Sequence, residues 1–221
     1  YKLEQWVDLD GEQEDQLQDG LAPFFKWHRT TIMPRVTDSV SALIMAAKKG
    51  KCAERFSSQQ ALWHGLYEET ISHITPIISG VLITLNAEQV DELSAGLEKE
   101  FKKAQERTAD RAKQSHKFID RMDSMLGDLT DKQREMLSQP DGQWEKHSLA
   151  SLACRRAQQQ KLVQALKDKQ STDKVEAILN GWWTQSGCSK SFIEDRTRIR
   201  AHWRTRMVKL EDTLSAEQRQ S

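Results

Sequence analysis

The densest group of chemically versatile side chains lies in the segment Trp27–Arg35. It holds one imidazole, His28, and two guanidiniums, Arg29 and Arg35, beside the aromatic ring of Trp27. An imidazole can transfer protons near neutral pH, and guanidiniums bind carboxylates or phosphates. The segment therefore predicts either a recognition groove with these four side chains as binding residues, or a buried corner between two helices.

The structural interpretation of this segment is favoured, because each residue has a local use at a helix-to-helix turn. Proline suits the first position of a helix, so Pro34 is expected to begin the second one. Arg29 and Arg35 would donate to the last carbonyls of the first helix, and Trp27 would pack beside the turn. On this interpretation Trp27→Ala lowers the melting temperature strongly, and His28→Ala lowers it less.

The rest of the chain carries no recognisable catalytic motif. It has no His-Glu-x-x-His pair, phosphate loop, dinucleotide fingerprint or Gly-x-Ser-x-Gly elbow, so no metal, cofactor or catalytic residue is predicted. His28 and His202 fall on apolar helical stripes, where a histidine is most often a hydrogen-bonded core residue. An enzyme whose site assembles around His28 and Arg29 is the alternative to a non-catalytic function.

The charges of the chain balance, with 33 basic and 33 acidic residues among 221. Basic residues cluster at Arg155-Arg156 and along the 196–206 segment, where only Trp203 interleaves; the arginines there are Arg196, Arg198, Arg200, Arg204 and Arg206. A surface for nucleic acid usually adds stacking aromatic residues. The favoured interpretation is therefore solvated helix faces with salt bridges to neighbouring helices. Neither nucleic acid nor direct contact with a membrane is expected.

A five-residue motif recurs along the chain and marks helix starts. Each copy has a large apolar residue, a small polar residue, two variable positions and a glutamine. The small polar side chain can accept from free N–H groups of the first turn, while the glutamine reaches back to the N–H of the cap residue. The copies lie at 9–13, 56–60, 85–89, 129–133 and 214–218. Their spacing is too uneven for a solenoid.

Apolar residues recur at helical spacing through most of the chain, and no segment alternates as a strand would. The sequence predicts one all-α domain over residues 1–221, a helical bundle of about seven or eight helices. One very long helix is expected over about residues 86–126, with a polar middle. Pro23 should break or kink the first helix near Leu21, and Pro76 with Gly80 should interrupt the third.

Several of these motifs occur in an order that resembles an uncharacterised family of proteobacterial lipoproteins, a domain of unknown function. The order is the 9–13 box, Trp27-His28-Arg29, Pro34-Arg35, the 85–89 box, the Leu-Gly-x-Leu-Thr sequence at 126–130, and the 214–218 box. The resemblance covers nearly the whole chain and implies an all-helical protein that follows a lipoprotein signal. The chain departs from the family at residues 31–34, where an acidic residue before Leu-Pro is usual, and it lacks the lipidated cysteine.

The resemblance implies a periplasmic protein held at the membrane by a lipid on a cysteine upstream of Tyr1. No catalytic residues carry over from the family. The Leu-Thr-x-x-Gln boxes are also similar to those of the Spy and CpxP periplasmic stress proteins, which are helical dimers that bind unfolded clients or signalling partners. We therefore expect a non-catalytic, chaperone-like or stress-related function with a protein or peptide partner.

The three cysteines, Cys52, Cys154 and Cys188, match no zinc spacing. The oxidising compartment that the resemblance implies would permit one disulfide, and three reduced thiols are the open alternative. The predicted pair is Cys154–Cys188, because an antiparallel return of the chain after residue 170 would bring Cys188 back along the helix that holds Cys154.

Overall fold

The computed structural model describes residues 5–109, 111–138 and 142–219. These ranges contain no β-strand, which confirms the predicted all-α helical bundle, and their nine α-helical segments come close to the predicted number. None of the described helices is long and apolar enough to cross a membrane. The elements are α1 (Gly11–Trp27), a π-helical turn (His28–Ile32), α2 (Met33–Lys48), α3 (Cys52–Leu82), α4 (Ala87–Ala109), α5 (Arg111–Leu126), α6 (Asp131–Ser138), α7 (Gly142–Lys167), α8 (Thr172–Trp183) and α9 (Lys190–Asp212).

The chain does not break at Pro23, and the predicted corner before Pro34 is wrong. The prediction that Pro34 begins the second helix is confirmed, because this proline lies in the first turn of α2. Helix α1 continues through Pro23, and α1, the π-helical turn and α2 form one helical run. Because proline has no N–H and its ring crowds the carbonyl four residues earlier, a regular α-turn cannot continue into Pro34. The π-helical turn keeps the chain helical by changing the hydrogen-bond spacing, since the N–H of Met33 donates to the carbonyl of His28, five residues back.

Helix α3 also runs through the residues expected to interrupt it. It passes Pro76 and Gly80 without ending, and it begins at Cys52 rather than at the 56–60 box. A proline inside a helix costs about 3 kcal/mol, but this turn of α3 is held by packing: the side chains of Thr75 and Ser79 are completely buried. Thr75 donates to Asn180 of α8 at 2.8 Å, and Ser79 donates to Glu176 of α8 at 3.2 Å. Tertiary packing therefore outweighs the local preference for a break at the proline.

Two groups of buried residues hold the helices together. The main core draws on α1, α3, α4, α7 and α8, and the segment before α1 also contributes to it; its buried residues are Val7, Leu9, Leu17, Leu21, Phe24, Val81, Leu82, Val90, Leu93, Leu97, Leu162, Ala165, Leu166, Val175 and Leu179. A smaller cluster joins α5, α6 and α9 through Ile119, Leu129, Leu137 and Leu210. Helix α2 adds no residue to either group.

Two of the helix-start motifs meet at the edge of the main core. Asp10 caps α1, Asn86 precedes α4, and each side chain accepts from the backbone N–H of its own glutamine, Gln13 or Gln89, at 2.9 Å. Each glutamine oxygen accepts in return from the N–H of its cap residue. The two buried amides also bond each other, at 3.1 and 2.7 Å. Each amide nitrogen then donates to the carbonyl two residues before the partner's cap.

The same arrangement recurs between the 129–133 and 214–218 motifs. Thr130 and Ser215 bond the backbone N–H groups of Gln133 and Gln218, and both return bonds are present. The two side-chain amides bond each other at 3.1 Å in both directions. Gln133 is only 1% exposed. The capping-box hydrogen bonds are present at four copies, three of which begin a helix, α1, α4 and α6, whereas Ser215 is followed by a turn. The 56–60 copy lies within α3 and starts no helix.

The predicted long helix is helical on both sides of its middle. Helix α4 ends at Ala109 and α5 begins at Arg111. The junction at residue 110 lies outside the described residues, so the continuity of the 86–126 helix stays a prediction, as does the single-domain boundary at 1–221.

Candidate functional site

The aromatic and basic residues of the first sequence motif lie along the helical run rather than at a corner. The half-buried ring of Trp27 stacks on His73 of α3, with centroids 3.7 Å apart and planes at 10°. His28, also half-buried, lies within ring contact of Phe24 and Trp27. Arg29 is exposed. The stack of Trp27 on His73 joins the end of α1 to α3, while the ring contacts of His28 lie within the same helical run.

The fourth residue of that motif, Arg35, is bound to a carboxylate. Its guanidinium donates to Glu69 of α3 at 2.7 Å, and both side chains are substantially exposed. Neither of the two clefts described below is lined by Trp27, His28, Arg29 or Arg35. Their assignment as binding residues therefore stays a prediction.

We expect Trp27→Ala to destabilise the protein by less than the about 3–5 kcal/mol of a fully buried tryptophan. The ring is only half-buried, and one of its faces covers the exposed imidazole of His73. His28→Ala should cost less, because the smaller ring leaves a smaller gap. Thermal unfolding of the two variants, with His73→Ala as a test of the stack, measures this order. An unchanged melting temperature for Trp27→Ala would contradict a structural role for Trp27.

A cleft of about 520 Å³ between α4, α7 and α9 is lined by four arginines. Its lining residues are Ala104, Arg107, Thr108, His147, Ser148, Ser151, Leu152, Arg155, Gln185, Arg196, Ile199 and Arg200. No aspartate or glutamate is among them. We call this the arginine cleft. Its side chains offer N–H and O–H donors, which is the chemistry of an anion site.

The arginines of this cleft differ from those elsewhere in the protein. Arg196 donates to the carbonyl of Thr184 at 3.3 Å and to the side-chain oxygen of Gln185 at 2.7 Å. Burial lowers the pKa of Arg196, and the neighbouring positive charge of Arg200 lowers it further. The Nε of Arg155 is buried without a hydrogen-bond partner. Positive charge is thus partly desolvated here without a carboxylate to offset it.

The predicted disulfide forms and holds the loop at one end of the arginine cleft. Cys154 of α7 is bonded to Cys188, with Cα atoms 5.5 Å apart, which confirms the prediction from the antiparallel return. Gln158 of α7 also donates to the carbonyl of Gly187 at 2.6 Å. A side chain at Gly187 would fall within 3.0 Å of Gln158, so α7 and the loop can approach this closely only at glycine.

The same loop presents Gln185 to the cleft in an unusual backbone conformation. Its φ is +61°, in the left-handed region that residues other than glycine rarely adopt. The bond from Arg196 fixes its side-chain oxygen. The disulfide and the glycine contact therefore position a polar group of the site at some conformational cost.

A second cleft of about 470 Å³ lies between α7 and α8. It is shallow and more apolar, with Ala165, Ala177 and Ile178 among its lining residues. No group of three or more His, Cys, Asp or Glu side chains in the described ranges is placed to hold a metal ion. Two lysines, Lys161 and Lys174, also line this second cleft, but it lacks the guanidinium and hydroxyl groups of the arginine cleft.

The sequence pattern of Arg155-Arg156 and of the 196–206 segment predicted solvated arginines in salt bridges with neighbouring helices. That interpretation describes Arg198, which pairs with Asp195 at 2.6 Å, and Arg156, which pairs with Glu98. It does not describe Arg155 or Arg196, which are partly buried, and it describes the exposed Arg200 only in part, because no carboxylate lines its cleft. The four-residue interval between Arg196 and Arg200 indicates a shared helix face, but only the fold shows that Arg155 of α7 opposes it.

Comparison with known proteins gives one family. A family of unknown function, DUF6279, matches residues 5–186 of this chain. No curated protein and no solved structure matches it. The matched residues cover most of the chain, from the segment before α1 through α8, and the chain therefore belongs to the DUF6279 family.

Proposed function

We propose that this member of the DUF6279 family is a non-catalytic binding protein of the cell envelope that holds apolar segments of other proteins. The observation that carries the proposal is an exposed apolar stripe on α2, formed by Met33, Val40 and Ile44, which are 44%, 44% and 53% exposed. Large apolar side chains clustered on a surface commonly mark a site of protein interaction.

The α2 stripe follows one face of the helix. Steps of seven and four residues place Met33, Val40 and Ile44 within about 40° of one another around the helix axis and spread them over about 16 Å along it. Met45, 61% exposed, extends the apolar surface toward the side. Methionine is flexible and polarizable, so it can adapt to varied partners. A stripe of this length fits an apolar segment of about two or three helical turns.

The inner face of α2 explains why the stripe remains exposed. The buried residue of α2 is Ser39, a polar side chain. The indole of Trp63 donates to its hydroxyl at 2.7 Å, and the amide of Gln59 bonds the same hydroxyl. Helix α2 is thus held to α3 through a small polar network, and its apolar residues are left for another surface.

We further propose that the protein lies in an oxidising compartment, on the periplasmic side of a membrane, and is held there by a lipid on a cysteine upstream of Tyr1. The disulfide between Cys154 and Cys188 supports an oxidising compartment, and the resemblance to envelope lipoproteins supports the anchor. Incorporation of a fatty-acid analogue into the full-length gene product, with fractionation of membranes, tests this placement.

The binding function is tested by suppression of aggregation. A reduced, unfolded client protein is mixed with wild type, with the Val40→Asp/Ile44→Asp double variant, or with the control Leu149→Asp, and light scattering is followed. Leu149 is 56% exposed on α7 and lies outside the stripe. The wild type and the control should suppress scattering, while the double variant should lose most of this activity because charges at the stripe oppose apolar contact.

The proposal fails if wild type does not suppress aggregation, or if the double variant retains the activity of the control. Both substituted side chains are exposed, so the variants should fold. Their circular dichroism spectra and melting temperatures check this directly.

A further inference from the structure

We infer that the arginine cleft between α4, α7 and α9 is a binding site for a phosphate group, carried either by a soluble molecule or by a lipid headgroup. The site is separate from the α2 stripe and does not depend on the proposed function. Its central residues are Arg155, Arg196 and Arg200. Phosphate is singled out because the planar guanidinium presents paired N–H donors that match its oxygens.

The charge distribution is the first argument. The chain as a whole is neutral, with as many acidic as basic residues. Carboxylates are therefore numerous enough to pair with every arginine. Four arginines outside the cleft have such partners: Arg35, Arg134, Arg156 and Arg198 each pair with an aspartate or glutamate.

The three central arginines of the cleft differ from these four. Among the described residues, Arg155, Arg196 and Arg200 form no ion pair, and no carboxylate lines their cleft. Arg196 and Arg200 lie four positions apart on α9, where like charges repel and destabilise the helix. A bound dianion would offset this repulsion between the two guanidiniums.

The hydrogen-bond geometry is the second argument. The buried Nε of Arg155 has no partner in the protein, and a buried donor left without an acceptor is costly. The bonds to Thr184 and Gln185 hold Arg196 in place from the loop side. The hydroxyl of Ser151 lines the same cleft, whereas that of Thr108 already donates to the carbonyl of Ala104 at 2.9 Å. The site thus supplies donors that are already oriented, which lowers the entropy lost when an anion binds.

The size of the cleft indicates that the phosphate is part of a larger molecule. About 520 Å³ lies in the range of small-molecule sites and exceeds what a bare phosphate ion fills. The apolar side chains of Ala104, Leu152 and Ile199 line part of the wall. They would contact the group that carries the phosphate, while the guanidiniums bind its charge.

The experiment uses the full 221-residue chain and measures binding of inorganic phosphate by titration calorimetry at low salt. Arg155→Gln and Arg200→Gln should each weaken phosphate binding by about tenfold or more, the usual effect of losing one charge-assisted hydrogen bond. The matched control is Arg198→Gln, which removes one positive charge from the same helix but outside the cleft. It should bind phosphate as the wild type does.

Vesicles separate the two sources of the phosphate. Binding to vesicles of phosphatidylglycerol that falls in Arg200→Gln but not in Arg198→Gln identifies a lipid headgroup. Binding of inorganic phosphate without binding to the vesicles identifies a soluble phosphate-bearing ligand. The inference is overturned if neither probe binds, or if Arg198→Gln weakens binding as much as Arg200→Gln does.

Folding of the variants is checked by melting temperature. Arg200 is exposed and forms no ion pair in the described structure, so Arg200→Gln should melt within a few degrees of wild type. Phosphate should raise the melting temperature of wild type by mass action, and it should raise that of Arg200→Gln less. Equal shifts in the two proteins would also overturn the inference.

Discussion

Replacing Gln89 with alanine should lower the free energy of unfolding by about 2–3 kcal/mol, one of the largest effects expected of a single polar substitution here. The side chain bonds the cap residue Asn86, the carbonyl of Asp8 and the amide of Gln13. Its loss leaves the amide of Gln13, which is only 4% exposed, without its main partner. Urea unfolding of the variant and the wild type measures the difference.

The control for this prediction is Gln60→Ala. Gln60 belongs to the 56–60 motif, which caps no helix because α3 has already begun at Cys52. Its side chain accepts from Arg204 at an exposed position, so its loss should cost about 0.5 kcal/mol or less. Equal destabilisation by Gln60→Ala and Gln89→Ala would show that the hydrogen bonds between the buried amides add nothing to the free energy of unfolding.

A double-mutant cycle separates the pairing from the helix cap. Gln13→Ala and Gln89→Ala together should cost less than the sum of the two single substitutions, because the double variant leaves neither buried amide without its partner. A purely additive result would assign the whole effect to capping of α1 and α4 and would contradict a direct role of the Gln13–Gln89 bond.

Removing the disulfide should have an effect of similar or larger size. Cys154 and Cys188 are separated by 34 positions, and loss of a cross-link over a loop of this length costs about 3–4 kcal/mol in the chain-entropy model. Cys154→Ala/Cys188→Ala should therefore melt well below wild type. The bond also fixes the loop that carries Gln185, so the α8–α9 connection should gain hydrogen exchange before the rest of the chain does.

The measurement pairs intact-mass analysis without reductant with thermal melts in the presence and absence of reductant. Wild type should lose stability on reduction, whereas the double variant should not respond. Cys52→Ala, which leaves the predicted bond intact, serves as the control and should respond to reductant as wild type does. A wild-type protein whose mass shows three free thiols would contradict the assignment.

Local physics predicted much of the secondary structure. Hydrophobic spacing identified the helices, and side-chain chemistry identified the caps of α1, α4 and α6 at Asp10, Asn86 and Thr130, because a cap is formed within four consecutive residues. The same local rules placed Pro34 correctly in the first turn of α2 but gave no sign of the π-helical turn before it. They failed at Pro76, which α3 passes, and at Pro23, where α1 does not break, because tertiary packing can offset the cost of a proline in a helix.

The pairing of the caps could not be inferred from sequence. Gln13 and Gln89 are 76 positions apart, and Gln133 and Gln218 are 85 apart. Each motif accounts for itself as an isolated capping box, so nothing in its residues indicates a second bond to a distant copy. The repeated motif did contain the relevant side chain, and its recurrence as glutamine at every copy was the available signal.

What the sequence by itself determined is the helical class, the caps of α1, α4 and α6, and the antiparallel return that allows Cys154 to meet Cys188. These follow from interactions between near neighbours, or from one antiparallel return of the chain. Only the tertiary structure decided that Arg155 faces Arg196 and Arg200 across a cleft without carboxylates, and that the apolar face of α2 stays exposed. Such placements depend on how whole helices pack, and the sequence near each residue carries no record of what lies opposite.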